Sequence, residues 1–160
     1  MKRVAYILGV GVIGMIFMSS YCTSTEPEGA VKKEVIANVP ELKAGEGIDF
    51  KHMSLDEAKK QSSESGKLIF IDAYTSWCGP CKQMAATSFK DSEVGDVFND
   101  GFINIKIDIE KDKDGSEVAR TYNVRAYPTL LVIDGDGNLV KQVIGFQTKD
   151  RLLSLAEAVL

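Results

Sequence analysis

Two cysteines three positions apart, Cys78 and Cys81, stand between a continuous apolar run, Leu68-Ile69-Phe70-Ile71, and a stretch in which Cys81, Met84, Ala85 and Phe89 recur at helical spacing. No other feature narrows the fold as much. The run has the length of a strand and lacks the alternation of a half-exposed one, the pattern of a strand buried on both faces. A buried strand that feeds a helix through a short loop belongs to a layered α/β sheet. The cysteines then fall after the strand, at the start of the helix.

The flanking sequence extends this pattern. Ser54 followed by Glu57 is a capping box that opens a helix running to about Ser65, and Gly66 ends it. Val94, Val97 and Phe98 continue a helical period after a break near Asp91-Ser92, Phe102 to Ile109 alternates as a second strand, and Val118, Ala119 and Tyr122 mark a further helix. Thr129 to Ile133 and Leu139 to Ile144 are strands joined by Asp134-Gly135-Asp136-Gly137-Asn138, a strong hairpin signal. Thr148 caps a last helix whose apolar face includes Leu152, Leu155, Ala156 and Val159. Parallel βαβ units followed by an antiparallel hairpin predict one mixed sheet of four to five strands, flanked by helices, over residues 48–160.

The beginning of the chain reads differently. Lys2 and Arg3 precede an apolar run from Val4 to Met18, followed by Ser19 and Ser20, which is the layout of a secretory signal. The run is short for a bilayer-spanning helix, which needs about 20 apolar residues. Residues 1–22 are therefore expected to be a signal or membrane anchor. Cys22 stands where a lipoprotein signal places its acylated cysteine, although Tyr21 before it is bulkier than the small residue usual there. Residues 23–47, with Pro27, Pro40 and no sustained apolar period, read as a flexible tether. Val35-Ile36 and Ile48-Phe50 could each add a short strand. Residues 1–22 hold two basic and no acidic residues, so the rest of the chain carries −6 against −4 for the whole. An acidic domain without a basic stripe is a poor partner for nucleic acid.

The chemistry follows from the cysteines. At a helix start the first sulfur meets unpaired backbone N–H groups, which favour the thiolate, and thiolate is the form that attacks a disulfide. The second cysteine, one turn in, is placed to resolve the mixed disulfide. This makes Cys78 the nucleophile and Cys81 the resolving thiol. A zinc ribbon needs more Cys or His, and His52 is the single histidine of the chain. A c-type haem site needs His where Lys82 stands. A Cys–His hydrolase would need His52 beside Cys78. A structural disulfide is the remaining alternative, and so small a ring constrains the unfolded chain very little. No cofactor and no metal are expected.

Trp77-Cys78-Gly79-Pro80-Cys81-Lys82 resembles the active-site motif of the thioredoxin family. The likeness covers about residues 65–160. It extends to Asp72, six residues before Cys78, to Lys106 and Asp108, to Tyr127-Pro128-Thr129-Leu130, and to Gly145. Phe89-Lys90-Asp91-Ser92-Glu93-Val94 is similar to the C-terminal domain of the bacterial transmembrane thiol–disulfide interchange protein. The resemblance implies a thioredoxin fold, a buried Asp72 exchanging a proton with Cys81, and a cis Tyr127–Pro128 peptide facing the active site. It also implies a substrate surface formed by Trp77, Gly79, Pro80, Tyr127, Pro128 and Gly145. Tyr127 departs from the smaller residue usual before this proline. Lys106 is either the partner of Asp72 or an edge charge.

The expected activity is a protein-disulfide reductase outside the cytoplasm, monomeric, membrane-tethered and fed by a membrane thiol reductase. Two rivals are an electron relay dedicated to one partner, in cytochrome maturation or peroxide defence, and a redox-inactive binding domain.

Overall fold

The computed structural model describes residues 47–160. The expected signal, Cys22 and the tether up to residue 46 lie outside the described residues. The elements, in chain order, are α1 (Leu55–Ser65), β1 (Leu68–Tyr74), α2 (Gly79–Ala86), a 3-10 turn (Ser88–Lys90), α3 (Ser92–Gly101), β2 (Phe102–Asp108), α4 (Gly115–Thr121), β3 (Thr129–Ile133), β4 (Leu139–Ile144) and α5 (Lys149–Glu157).

Local chemistry accounts for most boundaries. The Ser54 hydroxyl accepts from the Glu57 N–H while the Glu57 carboxylate accepts from the Ser54 N–H, so the capping box is complete. Gly66 ends α1 in the left-handed conformation, where a side chain would be strained. Asp91 caps α3 by accepting from Glu93 N–H and Val94 N–H. Two expectations differ in detail. Phe89 lies in the 3-10 turn rather than on α2, because the helix ends at Ala86. Thr148 stands at the N-cap of α5 without a side-chain capping bond.

The sheet order is β2-β1-β3-β4, with β1 and β2 parallel and the other pairs antiparallel. The sequence expectation of a strand at Ile48-Phe50 reduces to one parallel bridge, Lys51 to Ile105, on the outer edge of β2. Side chains of β1 alternate between two cores. Ile69, Ile71 and Ala73 pack with Leu55 and Ala58 of α1 and Val118 of α4. Phe70 packs on the opposite face with Met84 of α2, Phe89, Val94 and Phe98 of α3, and Leu152, Leu155 and Ala156 of α5. Each such buried side chain contributes about 1.5–3 kcal/mol relative to exposure. Strand alternation puts Asp72 on the Phe70 face, beneath the helix that carries the cysteines. No helix among the described residues is long and apolar enough to cross a membrane.

Candidate active site

Cys78 is the N-cap of α2 and Pro80 lies in its first turn, where a missing N–H costs nothing. The Cys78 N–H donates to the Thr75 carbonyl at 3.1 Å, which folds the loop after β1 back onto itself. Cys78 and Cys81 are joined in a disulfide, with Cα atoms 5.3 Å apart. The Cys81 N–H points at Cys78 Sγ, 3.1 Å away. The first sulfur is therefore the one that receives a backbone donor of the helix terminus. Both cysteines are only 3% exposed, whereas Trp77 beside them is 63% exposed. Gly79 and Pro80 are exposed as well, so exposed residues flank the buried sulfurs.

Trp77 is held by two contacts. Its indole N–H donates to Glu110 Oε2 at 2.9 Å, and its ring meets the Tyr127 ring edge-on at 5.9 Å between centroids. Such pairs add about 0.5–1.5 kcal/mol beyond burial. Tyr127 precedes a cis peptide to Pro128. The Pro128 carbonyl accepts from Gly145 N–H at 2.7 Å. Gly145 lies just past the end of β4, with φ 88°. Trp77, Gly79 and Pro80 adjoin the disulfide in the chain, the ring contact joins Trp77 to Tyr127, and the bond between Pro128 and Gly145 follows directly after Tyr127.

Asp72 is fully buried, and the register sets it between Lys106 of β2 and Leu130 of β3. Lys106 Nζ lies 2.7 Å from Asp72 Oδ2, so Lys106 is the partner of Asp72 and not an edge charge. Apart from that ammonium, no described group donates to either carboxylate oxygen. Burial pushes the Asp72 carboxyl above the usual carboxylate range, against the pull of Lys106. A buried carboxyl raised in this way is suited to take and return a proton.

Three contributors escaped the sequence reading. Glu110 fixes Trp77 from four positions past Lys106, at a loop position with no periodicity to mark it. Thr75 is buried with its hydroxyl unpartnered, which no sequence pattern announces. Phe50 meets Phe70 at a tilt and Phe89 edge-on instead of pairing in the sheet.

A four-stranded mixed sheet with a Cys-x-x-Cys pair at a helix N-terminus, over a buried carboxylate, defines a dithiol–disulfide exchanger of thioredoxin fold. Residues 55–160 match a family described as a thioredoxin-like domain, and the chain belongs to that family. A thioredoxin H-type from Oryza sativa subsp. indica is 36% identical over 112 residues, covering 68% of this chain and 85% of the relative. The solution structure of a protein assigned as a disulphide isomerase, from Bacteroides thetaiotaomicron, is 42% identical with a TM-score of 0.62, covering 69% of this chain and 92% of that one. The oxidised C-terminal domain of DsbD from Neisseria meningitidis is 23% identical with a TM-score of 0.55, covering 65% and 90%, and shares the fold. The chain is a thiol–disulfide oxidoreductase whose redox pair is Cys78 and Cys81.

Proposed function

We propose that this oxidoreductase reduces protein disulfides outside the cytoplasm, as a membrane-tethered monomer recharged by a membrane thiol reductase. The observation that carries the direction of electron flow is the spacer between the sulfurs. Gly79 and Pro80 bring neither a charge nor a donor side chain. The thiolate then depends mainly on the start of α2, and a helix dipole contributes about 0.3–1 kcal/mol. A strong oxidant needs a far more stabilised thiolate in its reduced form. Without one, the dithiol gives up its electrons readily.

The steps balance with the residues at hand. The Cys78 thiolate attacks one sulfur of the substrate disulfide and releases the other as a thiolate, leaving a mixed disulfide. Asp72 takes the Cys81 proton, and Cys81 then attacks Cys78 Sγ. The second substrate thiolate leaves, the Cys78–Cys81 bond closes, and two electrons have passed to the substrate. Trp77, Tyr127 and Pro128 supply the apolar contact for the approaching chain.

The N-terminal sequence supports the location. Lys2, Arg3 and the run from Val4 to Met18 read as an export signal, Cys22 as a lipid attachment site and residues 23–47 as the tether. An exported dithiol stays reduced only if electrons reach it across the membrane, hence the membrane reductase as donor.

Trapping tests the reading. Full-length Cys81→Ser should accumulate mixed disulfides through Cys78 that dissolve on reduction, and Cys78→Ser should form none. Adducts forming through Cys81 in the Cys78→Ser chain would reverse the assignment of nucleophile.

A further inference from the structure

Lys106 sits in an unusual setting for a lysine. Its Nζ lies 4.9 Å from the centroid of the Phe50 ring, 4.9 Å from Tyr74 and 5.3 Å from Phe89. A cation within about 6 Å of an aromatic face is attracted by the ring quadrupole, more strongly where water is excluded. The three rings come from three places: the segment before α1, the end of β1, and the 3-10 turn after α2. The ammonium at their centre is the one that touches Asp72. We propose that Phe50, Tyr74 and Phe89 form an aromatic cage that positions the Lys106 ammonium against Asp72, which makes Phe50 a positioning residue of the redox site.

A lysine stem is flexible and its ammonium strongly hydrated, so an uncaged Lys106 would have an easy alternative. Its side chain is 27% exposed and lines a cavity of about 570 Å³ on the outer edge of β2. Other charges face it there. Glu57 comes from α1, Lys51 and His52 from the segment before it, and Asp112, Lys113 and Asp114 from the loop before α4. The carboxylates among them are engaged elsewhere. Glu57 completes the Ser54 capping box, Asp112 accepts from Asp108 N–H at 2.7 Å, and Asp114 accepts from Leu55 N–H at 2.7 Å. Lys51 pairs with Asp49. Asp72 remains the anion for Lys106, and the rings close the sides of that contact.

Phe50 is fixed from both directions. Ile48 N–H donates to the Phe89 carbonyl at 2.8 Å and Lys51 N–H to the Asn104 carbonyl at 2.8 Å, so the backbone around Phe50 is anchored to the 3-10 turn and to β2. Its ring meets Phe89 edge-on at 5.1 Å. The Tyr74 phenol, pushed up by burial and by Asp108, Asp112 and Asp72, stays neutral and keeps its ring available to the cation.

The proposal rests on the proton-transfer reading of Asp72 only for its catalytic consequence, and the experiment separates the two. Carbon NMR of the Asp72 carboxyl and proton NMR of the Lys106 ε-methylene are followed against pH in the reduced full-length chain. Phe50→Leu and Tyr74→Leu, a pair chosen in case one fails to fold, are compared with Lys106→Met and with the Phe50→Leu, Lys106→Met double variant. In the wild type the ε-methylene protons should be shifted upfield by the rings. Either leucine variant should relax that shift and raise the Asp72 midpoint by about half a pH unit, because a less firmly held ammonium favours the carboxylate less. Phe50→Leu should add nothing to Lys106→Met. A midpoint unmoved by both leucine substitutions, or moved equally in the Lys106→Met background, overturns the cage. If the midpoints move as stated while Asp72→Asn turns over substrate like the wild type, the cage stands and the proton-transfer role falls.

Discussion

At the scale of single residues, Asp72 and Lys106 dominate, and opposite substitutions should have opposite effects. The folded-state pKa of Asp72 is raised above its unfolded value by burial. A carboxyl of this kind binds more protons folded than unfolded, so its stabilising contribution is full below about pH 4 and is lost as pH rises toward the raised folded value. Asp72→Asn should therefore stabilise the domain at pH 7, by about 1–3 kcal/mol, and hardly at all at pH 4. Lys106 can then turn its partly exposed ammonium to water. Lys106→Met leaves the carboxylate buried and unpaired, and should cost about 3–5 kcal/mol at pH 7, with much of the loss recovered on acidification. Denaturant unfolding across pH 4 to 8 checks both signs. Equal stability of Asp72→Asn and wild type at every pH would mean that the Asp72 carboxyl titrates in the fold as it does in the unfolded chain, with no rise from burial. The sequence showed Asp72 and Lys106 as candidates through the family motif. It could not pair them, because their contact depends on the β1–β2 register across 34 positions of chain. The aromatic rings around Lys106 were hidden for the same reason.

At the scale of elements, local signals carried far. The Ser54 capping box, the hairpin at Asp134 to Asn138 and the apolar run of β1 each match an observed boundary, because each depends on neighbours within a few residues. Contacts between distant backbones left no such trace. Gly95, in the middle of α3, is an example. A Cβ there would lie 2.4 Å from the Gly47 carbonyl oxygen. Gly47 cannot easily retreat, since Asn99 Nδ2 donates to that carbonyl at 3.0 Å and Ile48 N–H is bonded to the 3-10 turn. In an exposed helix Gly→Ala gains about 1 kcal/mol. Here Gly95→Ala should instead destabilise by about 1–3 kcal/mol through overpacking. Thermal unfolding decides the sign, and a raised Tm would show that the segment at Gly47 is not pinned as described. The same contact holds the chain that delivers Phe50 to Lys106, so the variant should also loosen the redox site.

At the scale of the whole molecule, we propose that residues 1–47 join the redox domain to a membrane. The anchor is tested by Cys22→Ala. The wild-type chain should fractionate with membranes and incorporate a labelled fatty acid, and the variant should lose the label and the firm association. Membrane association unchanged by the substitution, with no label in either chain, would remove the lipid reading. The direction in which electrons flow is measured directly by equilibrium of the Cys78–Cys81 pair against glutathione. With only Gly79 and Pro80 between the sulfurs, the potential should fall near that of thioredoxin, about −270 mV, and a dithiol of that strength reduces protein disulfides. A potential above about −180 mV, in the range of isomerases and oxidants, would make the protein a donor of disulfides and contradict the account.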